Sequence, residues 1–455
     1  LWVLCTGHNA EARPRSLQEL AAINGKLIET GVKYGSIPSL YRPRYDAVLD
    51  ANLSLSDDEV VFIAMLQGGA RVYPQRIMVW HQIVNEIVDD KAYAITYCPT
   101  TGTLMAYDAS LGGLNLIFDT EGRLYDGNSV LIDRNSGSLW LQETGMAFDG
   151  PLLGRGLPMV TVFWTNWGAA KRTYPHASVL AKPNSNKPYG RDPYGNYQRR
   201  GTYYDNDRLI YPVERTDRRF ASKTPMYCVE YEGYLLALDI GYIRRKGAVN
   251  FFVGPHALLA VFDRGLGVVR LFNRQIWAEP FLFVQQNGKL MDLTTRSIWD
   301  PATGVALDGN MKDASMPQIY GAYSMWFAWY SINPETLVIP GPGETLGEYA
   351  AQLGQGDVVV VFALRRSVRL VAEFARLARQ QGARLLCITD HASPAPEADW
   401  LLRVQTSAPG PLDNHAALFM LCHLIATSTL QQCGQPGRRH MAAIETSHDE
   451  LDELL

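Results

Sequence analysis

One phrase occurs twice in this chain. Residues 138–150 read SLWLQETGMAFDG, and residues 297–309 read SIWDPATGVALDG. Both fit S-[LI]-W-x-x-x-T-G-x-A-x-D-G, at an offset of 299 − 140 = 159. The same offset carries Asp133 to Asp292, Leu131 to Leu290, Trp167 to Trp326 and Pro175 to Pro334. It also carries Val179 to Val338 and Leu180 to Ile339. This pattern reads as one plan built twice. Two copies are too few for a solenoid, so the expectation is a pair of packed lobes, about 41–181 and 224–339.

Within each lobe the pattern is mainly β. EVVFIAML, KAYAITYC, TLMAYDA, LNLIFD and SVLIDR are short apolar runs separated by turn residues. PTTG at 99–102, NSG at 135–137, Asp149-Gly150 and Asp308-Gly309 are turn sequences. The spacing of Ile77, Trp80, Val84 and Ile87 predicts a helix over 74–88, with Pro74 in its first turn. Residues 1–40 read as a helical lead-in, with Ser16 and Glu19 as a capping box. The second lobe offers no evident counterpart of the 74–88 helix. Its match to strand 92–98 falls in AVNFFVGPHALLAVFD, with Pro255 in the place of Pro99 and no cysteine before it.

Residues 182–223 link the lobes. Ten Lys/Arg face five Asp/Glu there among many tyrosines. Such a stretch can stack on single-stranded nucleic acid or lie as a long ordered loop over the lobes. A net charge of −4 for the whole chain favours the loop. The six cysteines, at 5, 98, 228, 387, 422 and 433, form no C-x-x-C pair, which excludes a zinc finger or ribbon on spacing. No apolar run is long enough for a transmembrane helix. The opening LWVLC could be the tail of an export signal but is too short to claim as one, and Leu4 is too large for a good lipoprotein cleavage site before Cys5.

The style changes after residue 339. Residues 340–347 read as a Pro/Gly linker, and 348–455 as a small α/β Rossmann-like domain. DVVVVFA, ARLLCITD and WLLRVQT are its buried strands. Helices are expected over 366–381, ended by Gly382, and over 413–433 and 437–455.

Two resemblances follow from these motifs. ARVYP at 70–74, WHQIVNE at 80–86, TYCPTTGT at 96–103, LIDRNSGSLWLQ and MWFAWYSINPET resemble a bacterial family of uncharacterised proteins, domain of unknown function family 3179. That likeness implies a fold and frequent export to the cell envelope, and no mechanism. The acid usual after the motif histidine is Gln82 here. LGQGDVVVVFALRRSVRLVAEFARLARQQGARLLCITD, ADWLLRV and AAIETSHDELDEL resemble part of a SIS (sugar isomerase) domain of RpiR-type regulators. This second likeness implies phosphosugar binding, self-association and a cytoplasmic setting. The opening strand, turn and helix of that domain are missing, as is any DNA-binding segment. The two likenesses point to different compartments, which suggests a fusion near residue 340.

Candidate sites are few. Cys98 ends a strand in the first lobe, and His81 lies seventeen residues earlier. They admit a Cys/His nucleophilic pair, a copper or zinc site, or a buried thiol beside a core histidine. A metal would need a third ligand from Glu86, Asp108 or Asp133. In the C-terminal domain, Arg365, Arg366, Ser367 and Asp390 are candidates for a sugar phosphate or other small anion. His391 follows Asp390, while His415 and His423 share a helix. The recurring tryptophans 140, 164, 167, 299, 326 and 329 read as lobe core, with a carbohydrate-stacking platform as the alternative. The whole is thus expected to bind a carbohydrate derivative, or to be a metal- or thiol-dependent enzyme or redox protein using Cys98 and His81.

Overall fold

A computed structural model describes residues 16–339, apart from 196, 198, 199, 277–279 and 287. It also describes 358–364, 375–376, 378–380, 382–390, 397–406 and 416–432. The chain divides into two units, Leu1–Gly341 and Pro342–Leu455.

The first unit is built mainly of strands. β1 (Val60–Leu66) and β2 (Gly69–Pro74) form a hairpin that leads into α1 (Gln75–His81). A second hairpin, β3 (Ile83–Val88) and β4 (Lys91–Cys98), is extended by β5 (Thr103–Asp108). A meander follows: β6 (Phe118–Tyr125), β7 (Asn128–Asp133), β8 (Leu139–Leu141) and β9 (Ala147–Asp149). Last come β10 (Val162–Asn166), α2 (Trp167–Thr173) and β11 (Ser178–Leu180). β10 pairs with β1, and β11 runs parallel to β2.

From residue 225 the elements follow a matching order. β12 (Pro225–Tyr231), β13 (Tyr234–Asp239) and α3 (Ile240–Lys246) lead to β14 (Ala248–Val253), β15 (His256–Asp263) and β16 (Val268–Asn273). A meander of β17 (Phe283–Gln286), β18 (Lys289–Asp292), β19 (Ile298–Trp299) and β20 (Ala306–Asp308) follows. β21 (Ala322–Met325), α4 (Trp326–Ile332) and β22 (Leu337–Ile339) complete it. β21 pairs with β12, and β22 runs parallel to β13. One eight-stranded sheet crosses between the halves where Tyr323 of β21 meets Leu104 of β5.

The repeated phrase makes the same local structure twice. The buried Asp133 carboxylate accepts from the Ser136 amide and hydroxyl and from Trp140 Nε1 at 2.9 Å. Asp292 accepts from the Thr295 amide and hydroxyl, the Ser297 amide and Trp299 Nε1 at 2.9 Å. Gly150 and Gly309, at φ +86° and +91°, lie so close to Ser138 and Ser297 that a Cβ would fall 2.7 and 2.8 Å from their Cα atoms. Only glycine fits both the conformation and the contact. Asn85 clamps the backbone of Phe118 (2.8 and 2.9 Å), and Asn250 clamps that of Phe283 (2.9 and 2.8 Å).

Several expectations need correcting. The apolar spacing over 74–88 does not make one helix: α1 ends at His81, Gln82 turns left-handed at φ 59°, and β3 begins. Its buried ladder with β4 outweighs the helical spacing. α3 and β14 do form a counterpart in the second half, with Gly247 (φ 82°) where Gln82 stands. Pro255 lies in the turn before β15, not after it, and on the offset that carries Asn85 to Asn250 the position of Cys98 falls on Asp263. Trp140, Trp167, Trp299 and Trp326 are fully buried, which rules them out as an exposed sugar-stacking platform. The lead-in is helical only over Leu17–Ala21 and a 3-10 turn to Lys26, with the Ser16–Glu19 capping box formed.

The second unit has three parallel strands, β23 (Val358–Ala363), β24 (Arg384–Asp390) and β25 (Trp400–Val404), and a helix, α5 (Ala416–Gln432). The expected linker 340–347 and helix 437–455 lie outside the described residues, as does most of helix 366–381.

Candidate functional site

Cys98 sits at the end of β4 and is 1% exposed. Pro99 follows it and cannot donate to the ladder, so the chain turns there and returns as β5. Ser129, at the start of β7, donates its hydroxyl to Cys98 Sγ at 3.2 Å. Thr100 Oγ1 lies 3.2 Å from the same sulfur and donates to the Gly127 carbonyl. That donation uses Thr100's single proton, so the Cys98 S–H donates to Thr100. The chain Ser129–Cys98–Thr100–Gly127 is therefore closed for a neutral thiol.

Thr100 and Ser129 also line a small cleft of about 50 Å³. Gln82, Pro99, Thr120, Arg123, Tyr194 and Tyr211 share its walls. Arg123 is held by Glu121 at 2.7 Å, so the cleft carries no uncompensated cation from that residue. Burial, and after it the neighbouring Cys98, pushes the Tyr194 phenol up to about 12.

Behind the thiol lies a buried polar cluster. Gln142 donates to Thr96 Oγ1 at 2.9 Å and accepts from Asn128 at 2.8 Å. Thr103 bonds Thr101 at 2.8 Å and Ser324 at 3.0 Å. On the 165-residue offset of this part of the chain (250 − 85), Thr96, Thr101 and Thr103 correspond to Val261, Leu266 and Val268. All three are buried in the apolar interior. These three threonines thus have apolar counterparts in the second half, which contributes Ser324 to the cluster.

His81 is buried at the end of α1 and engaged elsewhere. Nδ1 donates to the Pro38 carbonyl at 2.7 Å, and Nε2 accepts from the Tyr189 hydroxyl at 2.6 Å. Tyr189 also stacks on the imidazole and meets Ser185 at 2.8 Å. Burial pushes the His81 pKa below the ordinary value, so the ring is neutral in this tautomer. Cys98 and His81 share no hydrogen bond. The proposed third ligands have other partners. Glu86 accepts from Arg71, Tyr45 and Tyr73, Asp108 pairs with Lys91 at 2.8 Å, and Asp133 serves its turn. Among the described residues no three His, Cys, Asp or Glu side chains are grouped to hold a metal ion.

Segment 182–223 is a strap over this region. Tyr189 reaches His81, Tyr197 bonds Tyr97 at 2.8 Å, and Tyr203 donates to the Thr100 carbonyl at 2.6 Å. Asp192 accepts from Gln75 at 2.7 Å. Lys223 donates to the Tyr203 and Arg208 carbonyls, and burial lowers its pKa to about 8. Tyr197 and Tyr204 stack on each other at 3.6 Å. Sequence spacing placed Cys98 and His81 near one another but missed Ser129, Thr100 and the strap tyrosines.

In the second unit, Asp390 ends the middle strand, buried, and accepts from Thr406 at 3.2 Å. Arg365, Arg366, Ser367, His391 and His415 lie outside the described residues, and His423 is exposed on α5. No described helix is long and apolar enough to cross a membrane.

No curated protein and no solved structure shows significant similarity to the chain. A family profile does match, described as Protein of unknown function (DUF3179), over residues 34–336. That span covers both halves of the β-rich unit and most of the chain, and the chain therefore belongs to the DUF3179 family.

Proposed function

We propose that the first half carries a thiol-dependent site in which Cys98 reacts with small molecules entering the cleft. The observation that carries this reading is that Thr100 and Ser129, the two residues whose hydroxyls meet Sγ, also line the cleft, with the thiol buried directly behind them. When the thiol gives up its proton, Thr100 can turn from Gly127 to the sulfur. Ser129 and Thr100 then both donate to the thiolate, stabilising it without a metal or an imidazole. His81 acts at one remove, tying the end of α1 to the strap through Tyr189.

The matching strand order and the paired Asp, Gly and Asn contacts support reading the halves as two copies of one unit. The second copy has Asp263, ion-paired with the buried Arg270, where the first has Cys98, and Val261, Leu266 and Val268 where the first has Thr96, Thr101 and Thr103. That difference supports function in the first copy.

The test is the rate of Cys98 alkylation by iodoacetamide in the folded protein, read by mass spectrometry. Ser129→Ala and Thr100→Val are each expected to slow it about tenfold, the effect of losing one hydrogen bond of roughly 1.4 kcal/mol to the thiolate. Unchanged rates in both variants would overturn the reading.

The C-terminal unit supports a second, separate reading as a binder of sugar phosphates. Its three strands are parallel, and such sheets bind ligands at their carboxyl ends, where Asp390 stands. A thermal-shift screen of hexose and pentose phosphates tests it. Stabilisation by one of them, lost in Asp390→Ala, is expected, and no shift with any would count against it.

A further inference from the structure

A second cleft in the first half, of about 380 Å³, has a different chemistry. Its walls come from the β1–β2 turn, the end of β3 and the α2–β11 connection. Arg71 and His176 are its basic groups, and Val88, Ala70 and Pro175 are among its apolar ones. This volume suits a small organic molecule.

Three observations show that the cleft is built. First, Arg71 rests on a buried polar floor. Its Nη1 bonds the buried Glu86, which also accepts from Tyr45 and Tyr73, and its guanidinium lies 4.5 Å from the Tyr45 ring centre. The corresponding residues of the second half are Leu236, Leu238 and Phe251, all in the apolar core. The fold therefore holds at these positions without charge. A buried ion pair is weak evidence for stability, so the first half keeps this one for another reason.

Second, Gly69 leaves open space in the cleft wall. A Cβ there would meet nothing within 4 Å. The corresponding residue is Tyr234, whose phenol lies against Gly254. Third, Arg71 has donors left over. Nε and Nη2 have no protein partner among the described residues. The cationic rim is also particular to this half, since His176 corresponds to Glu335 and Gln67 to Glu232.

We infer that this cleft binds a small monocarboxylate, its carboxylate held on the free edge of Arg71 and its apolar body against Val88, Ala70 and Pro175. The planar fork of a guanidinium matches a carboxylate through two parallel hydrogen bonds. Burial pushes the Glu86 carboxyl up to about 8 while the Arg71 contact favours its charged form, so a dianion such as phosphate is disfavoured beside this pair. His176 supplies a further donor at the rim.

The test is titration of the whole protein with butyrate, followed by NMR or calorimetry, with butyramide as the uncharged match. Saturable binding of butyrate, with butyramide binding at least about tenfold more weakly, is expected. His176→Ala, at the rim, is expected to weaken butyrate binding a few-fold. Arg71→Gln leaves Glu86 unpaired and endangers folding, so the decisive variant transplants the second half: Arg71→Leu, Tyr73→Leu and Glu86→Phe together. It is expected to stay folded by circular dichroism and to lose butyrate binding. Equal binding of butyramide, tighter binding of inorganic phosphate, no saturable binding of butyrate, or full binding by the triple variant would each overturn the inference.

Discussion

The two buried aspartates give a measurable consequence of the repeated phrase. Asp133→Ala removes the acceptor for three donors. Trp140 Nε1–H is fully buried and cannot turn to water, so its loss costs about 1–3 kcal/mol. Ser136 is half-buried, and its amide and hydroxyl rehydrate in part, adding about 0.5–1 kcal/mol each. The sum is about 3 kcal/mol. Asp292→Ala removes four bonds of the same kind, again with one to a buried indole, and is expected to cost as much or slightly more. Urea unfolding followed by tryptophan fluorescence reads both variants, because the perturbed indoles are the reporters. A loss below about 1 kcal/mol in either protein would refute the reasoning, since a buried donor cannot be orphaned that cheaply. So would a large loss in one variant and none in the other.

Other consequences are simpler. Asn85→Ala and Asn250→Ala each break a two-bond clamp on a phenylalanine backbone, and each should cost about 2 kcal/mol in the same assay. Gln82 holds a left-handed conformation that Gly247 supplies in the second half, so Gln82→Gly should stabilise the protein by about 1 kcal/mol, read as a higher melting temperature. His81 has its pKa lowered by burial, so the unfolded chain takes up its proton first as the medium is acidified. Its contribution is fully present above about pH 6.5, the ordinary imidazole value, and falls as pH drops below that; His81→Gln should flatten this part of the stability–pH curve.

The limits of reading the sequence follow from the range of each contact. The repeated phrase was legible because Asp133, Ser136 and Trp140 lie within seven residues and act on one another. The longer strands of the first half were legible as short apolar runs between turn residues. The 74–88 helix misled because Ile77, Trp80, Val84 and Ile87 keep helical spacing across a break made by one backbone conformation at Gln82. Its counterpart was missed because IGYIRRKG lacks an apolar stripe, although it forms α3. The site was legible only as far as Cys98. Ser129 reaches the thiol across 31 residues and Tyr189 reaches His81 across 108, and no local pattern records such pairings. The charge pair Arg71–Glu86 was hidden for the same reason, spread over two strands of different sheets.

The most direct test of a reactive Cys98 uses the other cysteines as controls within one sample. Cys228 is buried, and burial pushes its thiol pKa well above the ordinary range; Cys422 is partly exposed on α5. The folded protein is treated with iodoacetamide or with a bulky fluorescein maleimide, and each site is followed by mass spectrometry. Cys98 should react with the small reagent and not the large one, with Cys228 silent and Cys422 open to both. If Cys98 stays as silent as Cys228 until the protein unfolds, it is a structural thiol, and the central claim fails.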